Sequence, residues 1–167
     1  MNIYNCMPGK RLHEFYYTGM PGKRLHDADT VDFPGDDRLP SFSAYAAIDR
    51  YYNESDVVIF DVVISNFGES YLQPSNVFMC PVHGVYMFNV NLITRLGLDM
   101  IGQIYLNGET AAGFFARGET ESTGSALVII ECFEGDKVWV RNGPDNSHMD
   151  GGGIRHSIFS GTLLQAL

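Results

Sequence analysis

The sequence predicts an all-β domain in which two sheets pack face to face. Short segments rich in β-branched and aromatic residues recur from residue 42 to the C-terminus, and such residues favour strands. Glycine and asparagine separate these segments, and Asn107-Gly108 suits the positive φ angles of a type I′ hairpin turn. No segment combines helical caps with a 3.6-residue hydrophobic period. Many short strands joined by such turns are typical of a sandwich or jelly roll.

The predicted strands follow one another along the chain. A hairpin turn at Asn107-Gly108 joins two of them, and Glu134-Gly135-Asp136 forms a second turn. A glycine-rich loop over residues 143–155 precedes the last strand. The strands are predicted at 56–64, 77–82, 84–93, 103–106, 110–116, 125–133, 137–142 and 156–164.

The segment 84–93 alternates most strongly, so its two faces can be assigned separately. One face is expected in the sandwich core and consists of Tyr86, Phe88, Val90 and Leu92. The other face is apolar at one end and polar at the other, and consists of Val85, Met87, Asn89 and Asn91. Its apolar end predicts burial by something outside the sandwich.

Seven residues stand at fixed spacings in the pattern F-x5-N-x4-Y-x6-F-x5-G-x-Y-x-F, namely Phe60, Asn66, Tyr71, Phe78, Gly84, Tyr86 and Phe88. This stretch resembles the globular domain of the complement C1q family, which is related to the tumour necrosis factor cytokines. The resemblance covers residues 41–167 and includes Phe42-Ser43-Ala44, Asn107-Gly108, Thr123-Gly124-Ser125-Ala126, Gly135-Asp136-Lys137-Val138-Trp139 and Ser157-Ile158-Phe159-Ser160-Gly161.

The resemblance implies a ten-stranded jelly-roll β-sandwich of C1q/tumour necrosis factor type that assembles as a homotrimer. In such trimers the inner sheets meet at a threefold axis, which would bury Val85 and Met87. It also implies an extracellular binding module rather than an enzyme. The sequence agrees, because it contains no H-x-H, H-E-x-x-H or G-x-S-x-G motif and no phosphate-binding loop.

Residues 1–40 are predicted to form a flexible arm that precedes the globular domain at 41–167. The arm repeats Met7-Pro8-Gly9-Lys10-Arg11-Leu12-His13 as Met20-Pro21-Gly22-Lys23-Arg24-Leu25-His26. It lacks the glycine at every third position that a collagen stalk requires. The first residues lack the pattern of a secretory signal peptide, so the extracellular location is implied by the resemblance alone.

The charge of the chain restricts its partners. The formal net charge is −9, and residues 41–167 carry six basic and fourteen acidic side chains. This balance argues against a nucleic-acid surface. No stretch approaches the ~20 apolar residues that a transmembrane helix needs.

The three cysteines are Cys6, Cys80 and Cys132. The resemblance places Cys80 and Cys132 on neighbouring strands, which leaves a disulfide open. Two buried free thiols are the preferred interpretation, because their neighbours are apolar. No histidine or lysine at a motif spacing indicates a catalytic cysteine.

Calcium is the cofactor that the resemblance suggests, although none is certain. Several relatives bind it near the trimer axis through acidic residues in the loop before the Gly124-Ser125-Ala126 strand. Here that loop carries Glu119 and Glu121, which could meet their symmetry copies around a cation. A solvated acidic loop is the alternative.

The glycine-rich loop 143–155 is the candidate ligand site. It concentrates planar polar groups on Asp145, Asn146, His148 and Arg155. Such groups recognise sugar hydroxyls and carboxylates in bidentate fashion, and loops on a rigid scaffold often carry binding function. The alternative is a connecting loop without a ligand.

These features favour a secreted, lectin-like pattern-recognition protein that binds glycans or microbial surfaces in innate immunity. It would resemble the stalkless C1q-domain proteins of invertebrates. Two alternatives remain: a cytokine-like trimeric receptor ligand, and an extracellular matrix or calcium-binding protein.

Overall fold

The computed structural model describes residues 38–95, 97–152 and 155–167 of the 167-residue chain. These residues form twelve β-strands and no helix. The strands are β1 (Ser41–Tyr45), β2 (Arg50–Tyr52), β3 (Val62–Phe67), β4 (Tyr71–Leu72), β5 (Val77–Met79), β6 (Gly84–Thr94), β7 (Met100–Leu106), β8 (Glu109–Ala116), β9 (Ser122–Cys132), β10 (Lys137–Asn142), β11 (Ser147–Met149) and β12 (Ile158–Ala166).

Ten of these strands form two five-stranded antiparallel sheets. The first sheet has the order β3-β1-β12-β6-β9, and the second has the order β4-β5-β10-β7-β8. The remaining pair, β2 and β11, forms a separate two-stranded ribbon in which Ser147 lies opposite Tyr52. The predicted jelly-roll sandwich is therefore confirmed, with the ribbon as an addition.

Aromatic rings fill the space between the two sheets. Phe42 stacks on Tyr71 with ring centroids 4.4 Å apart, and it meets Phe159 edge-on at 4.9 Å. Phe88 and Phe78 also contact each other, at 5.4 Å. All five side chains are buried, and burying each one stabilises the fold by about 1.5–3 kcal/mol relative to leaving it exposed.

The polar and glycine positions of the sequence motif also serve the fold. The Asn66 side chain accepts a hydrogen bond from the Tyr71 N–H and donates one to the Tyr71 carbonyl, both at 3.0 Å. A Cβ at Gly84 would lie 2.5 Å from the Gln165 carbonyl oxygen, so no larger residue fits without a shift. Every position of the motif therefore builds the sandwich, which is why the motif predicts a fold and not a ligand.

Several strand predictions differ from the structure. The strand predicted at 77–82 ends at Met79, and β2 and β4 lie in segments for which no strand is predicted. Two further differences concern the segments 56–64 and 143–155. Residues 56–61 precede β3, which begins only at Val62. Val58 and Phe60 do point into the core, as alternation predicts. However, the Phe60 N–H donates to the Asn76 side chain at 2.8 Å instead of to a neighbouring strand. The second difference is β11, which lies within the predicted loop 143–155.

The hairpin between β7 and β8 confirms the predicted turn. Asn107 has a φ of 52° and Gly108 a φ of 96°, which are the two positive angles that a type I′ turn requires. The Asn107 side chain also donates to Asp136 at 2.8 Å and accepts from the Lys137 N–H at 2.9 Å. Asparagine therefore shapes this turn and ties it to the start of β10.

Cys80 and Cys132 are free thiols, and both are fully buried. The hydrogen bond between the two thiols and their burial raise the pKa of Cys80 far above its ordinary value. A buried, protonated thiol is a poor nucleophile. The prediction of two buried, unbridged cysteines is thus confirmed.

This pair gives a direct labelling prediction. We expect native Cys6→Ser protein to resist alkylation by iodoacetamide, because neither remaining thiol reaches solvent. The unfolded variant should take up two labels, one on each free thiol. Mass spectrometry of both samples measures this, and a mass deficit of two hydrogens that a reductant restores would contradict it.

The proposed arm at residues 1–40 lies almost entirely outside the described residues and stays a prediction. The described part of the chain contains no helix that is long and apolar enough to cross a membrane.

Candidate functional site

The outward face of the first sheet carries exposed apolar side chains. Leu127 and Ile129 on β9 are 58% and 56% exposed. The strand register places Met87 of β6 opposite Ile129, and Thr162 of β12 opposite Met87. A layer of three uncharged side chains therefore crosses the middle of this sheet. We call Met87, Leu127 and Ile129 the apolar face.

The polar end of the same face is partly used within the chain. Asn91 donates its amide to the His156 carbonyl at 2.8 Å. Asn89 lies between Leu127 of β9 and Ser160 of β12. The core side of β6 is as predicted, because Tyr86, Phe88, Val90 and Leu92 are completely buried.

Hydrogen bonds anchor the first half of the loop 143–155. The Asn142 amide donates to the carbonyls of Asn53 and Asp145, both at 2.8 Å. The Ser147 hydroxyl donates to the Asn142 side-chain oxygen at 2.6 Å. Strand β11 then pairs with β2, and all three of its residues are buried. This part of the loop is therefore a fixed element of the fold.

A partly buried ion pair holds the next segment, in which Asp150 is buried and Arg95 is 47% exposed. The Asp150 carboxylate, whose side chain is 5% exposed, accepts a hydrogen bond from Arg95 at 2.7 Å. The Ser157 hydroxyl donates to the Asp150 carbonyl at 2.7 Å. No local pattern in the sequence predicts this pair, because its members are 55 residues apart.

The four predicted ligand residues fall into two groups. Asp145, Asn146 and Arg155 are exposed, and no hydrogen bond or ion pair within the described residues joins their side chains. The Arg155 guanidinium lies 5.1 Å from the centre of the Tyr45 ring. His148 is fully buried on β11, so it cannot contact a ligand from solvent and is left out of the site.

The predicted calcium residues lie in the loop before β9. Glu119 and Glu121 are exposed, and Glu119 pairs with Arg117 at 3.5 Å. Within one chain, the described residues contain no group of three or more histidine, cysteine or acidic side chains that could hold a metal ion. A site built from these glutamates would need further copies of the chain.

Comparison with known protein families assigns this arrangement. The family model of the C1q domain matches residues 41–164. The chain belongs to the C1q domain family. This C1q domain is 29% identical over 120 residues to complement C1q tumor necrosis factor-related protein 3 of Homo sapiens, and equally to that of Mus musculus. The match covers 69% of this chain and 47% of each relative, so the chain spans about half the length of these curated relatives.

Solved structures share the fold of this C1q domain. The globular domain of zebrafish complement 1qA superposes with a TM-score of 0.65 at 17% identity, covering 77% of this chain and 99% of that one. Eiger TNF from S. frugiperda gives 0.62 at 12% identity, with 77% and 94% covered. Murine APRIL gives 0.61 at 10% identity, with 76% and 100% covered. The expected relation to both the C1q and the tumour necrosis factor folds is confirmed.

Proposed function

We propose that the protein is a secreted, trimeric C1q module that recognises glycans or microbial surface polysaccharides in innate immunity. It acts by binding and not by catalysis, as is usual for this fold. The proposal has two parts, an assembly surface and a ligand surface, and each is supported by different residues.

The apolar face supports the assembly part. Large apolar patches on a protein surface mark interaction sites, and the exposed Leu127 and Ile129 lie next to Met87 on one sheet. In a trimer with a threefold axis, each copy would bury these side chains against its two neighbours and so remove them from water. C1q and tumour necrosis factor domains form such trimers.

The loop 143–155 carries the ligand part. In the chain, the exposed Asp145 and Asn146 come directly before its fixed segment, β11, and the exposed Arg155 comes after it. A rigid base lowers the entropy lost when a ligand binds. Weak binding at one loop would be multiplied by trivalence, since linked sites act at high effective concentration.

Calcium is a proposed addition to this function. Glu119 and Glu121 from three chains would supply the carboxylate oxygens that Ca²⁺ prefers. Without a cation the clustered carboxylates would repel one another. Calcium should therefore raise the thermal stability of the trimer, whereas a Glu119→Gln, Glu121→Gln variant should gain nothing from it.

A glycan array read with calcium and with EDTA tests the ligand part. Binding to a defined set of glycans supports the proposal. Binding to no glycan would contradict it and would favour the cytokine-like or matrix alternatives. Loss of binding in EDTA would show that binding needs a divalent cation, and the Glu119→Gln, Glu121→Gln variant would then test whether the acidic loop holds it.

Arg155 gives a specific prediction. We expect Arg155→Ala to weaken binding of sialylated glycans by about 1.5–3 kcal/mol, the contribution of a hydrogen bond between charged groups. Arg155→Lys should lose less, because it keeps the charge but not the planar fork. Isothermal titration calorimetry measures both losses.

Two comparisons make this test specific. Neutral mannose-type ligands should lose much less affinity than sialylated ones. Lys137→Ala removes another exposed basic side chain, on β10, and should change neither. Equal affinity of the wild type and Arg155→Ala would exclude Arg155 from the site.

A further inference from the structure

A surface cavity lies beside the ribbon, outside the loop 143–155. It has a volume of about 450 Å³ and opens between β2 and the segment 56–59, which is within the range of small-molecule sites. The Val58 N–H donates to the Val140 carbonyl at 2.9 Å, so this wall is fixed to β10. The opposite wall is β2, which pairs with β11. Both walls are therefore built into the fold.

One wall of the cavity presents an exposed aromatic ring. Tyr51 is 69% exposed, yet its ring contacts the buried His148 ring at a centroid distance of 4.9 Å. The Tyr51 ring is thus held by its contact with His148 while much of its surface faces water. A supported, exposed aromatic surface suits the apolar face of a pyranose ring, which carries C–H groups.

Polar groups of both hydrogen-bonding types line the same cavity. Within the described residues, Oδ2 of the Asp56 carboxylate accepts two hydrogen bonds, from the backbone N–H of Asn53 at 2.8 Å and from the Asn53 side-chain amide at 3.1 Å. This orients the carboxylate as an acceptor. The Tyr52 hydroxyl accepts from the Ile59 N–H at 3.1 Å, and burial raises the pKa of Tyr52 to about 12. Tyr52 therefore keeps its proton and remains a donor.

Arg50 is incompletely satisfied at this site. Its Nε is buried and has no hydrogen-bond partner within the described residues. Its Nη2 lies 3.4 Å from Asp61, which is long for a bond between charged groups. A buried donor without an acceptor costs free energy. The Arg50 side chain is 30% exposed, so the rest of its guanidinium can donate to a ligand hydroxyl.

The charges around the cavity select among sugars. Arg50 is balanced by Asp61, and Asp56 adds a negative charge. An acidic sugar would meet this net negative charge, whereas a neutral sugar offers hydroxyls that both donate and accept. We propose that the cavity bounded by Arg50, Tyr51, Tyr52 and Asp56 is a binding subsite for a neutral pyranose. This subsite rests on the proposed glycan-binding function and is separate from Arg155.

Nuclear magnetic resonance titration tests the subsite with methyl glycosides of mannose, galactose and N-acetylglucosamine, and with the methyl glycoside of N-acetylneuraminic acid. At least one neutral glycoside should shift the backbone resonances of β2 and residues 56–59 in the unaltered protein. Tyr51→Ala should weaken that binding by about tenfold, the effect of removing one well-packed aromatic contact. Tyr51→Phe keeps the ring and should bind within a factor of about three of the wild type, because only a hydroxyl is lost.

Controls separate the subsite from the proposed function. Phe115→Ala removes an aromatic ring that is 49% exposed on β8 and should leave affinity unchanged. Arg155→Ala should weaken the binding of the sialic acid glycoside only.

Two outcomes would contradict the subsite alone. If neutral glycosides bind but shift resonances elsewhere, or bind Tyr51→Ala as well as the wild type, the subsite is wrong while glycan binding stands. If no probe shifts any resonance and the array is also empty, the proposed function itself fails. Resonance mapping on the unaltered protein decides the question even if Tyr51→Ala does not fold.

Discussion

Met87→Glu is expected to convert the proposed trimer into a folded monomer. Met87 lies in the centre of the apolar face, directly opposite Ile129, and three glutamates would be brought together near one axis. Burying like charges without partners costs several kcal/mol per ion. This cost exceeds the free energy that the surrounding apolar contacts contribute to assembly. Light scattering at micromolar concentration should give the mass of one 18.6 kDa chain for the variant and three times that for the wild type.

Leu72→Glu is the matched control for this experiment. Leu72 is an exposed apolar residue on β4, at the edge of the second sheet. The variant should remain trimeric, because this residue lies away from the apolar face. A trimeric Met87→Glu protein, or a monomeric wild type, would contradict the assembly proposal.

Phe159→Ala should destabilise the fold more than any surface change. The Phe159 ring contacts those of Phe42, Phe60, Tyr71 and Phe88 and is fully buried. Removing such a side chain leaves a cavity that the neighbouring rings fill only in part. The expected loss in the free energy of unfolding is about 3–5 kcal/mol. Urea denaturation of the wild type and the variant measures it.

Phe115→Ala is the control for this second experiment. It removes the same side chain from a position that is 49% exposed, so the free energy of unfolding should fall by only about 1 kcal/mol. Similar losses for the two variants would mean that Phe159 is not part of a tightly packed core. The measurement is best made at one protein concentration, because the proposed trimer would add to the stability of the folded chain.

The sandwich could be predicted because it depends on patterns among residues that are neighbours in the chain. Alternation along 84–93 assigned Tyr86 and Phe88 to the core, and Asn107-Gly108 carried its own turn geometry. The ribbon could not be predicted. Its strands have three residues each, and all three residues of β11 are buried, so no alternation marks them. Its pairing joins Ser147 to Tyr52, which no neighbouring residue in the chain indicates.

The exposure of three of the four proposed ligand residues could be predicted from the sequence, and the burial of the fourth could not. Exposure of Asp145, Asn146 and Arg155 agrees with a glycine-rich connection. The burial of His148 depends on β11, and composition alone cannot show it. The cavity beside β2 depends on two segments that the fold brings together, and its residues share no motif. Each of these features arises from tertiary contacts and not from local pattern.

The ribbon also divides the long connection between the two sheets into two shorter ones. The chain leaves the second sheet after Asn142 and enters the first sheet at Ile158, and β11 fixes it in between. Closing one long loop costs entropy that grows with its length, whereas here each span is closed separately. The spans 143–146 and 150–157 can therefore change length independently. Relatives could acquire new specificity in one span while the other keeps its register.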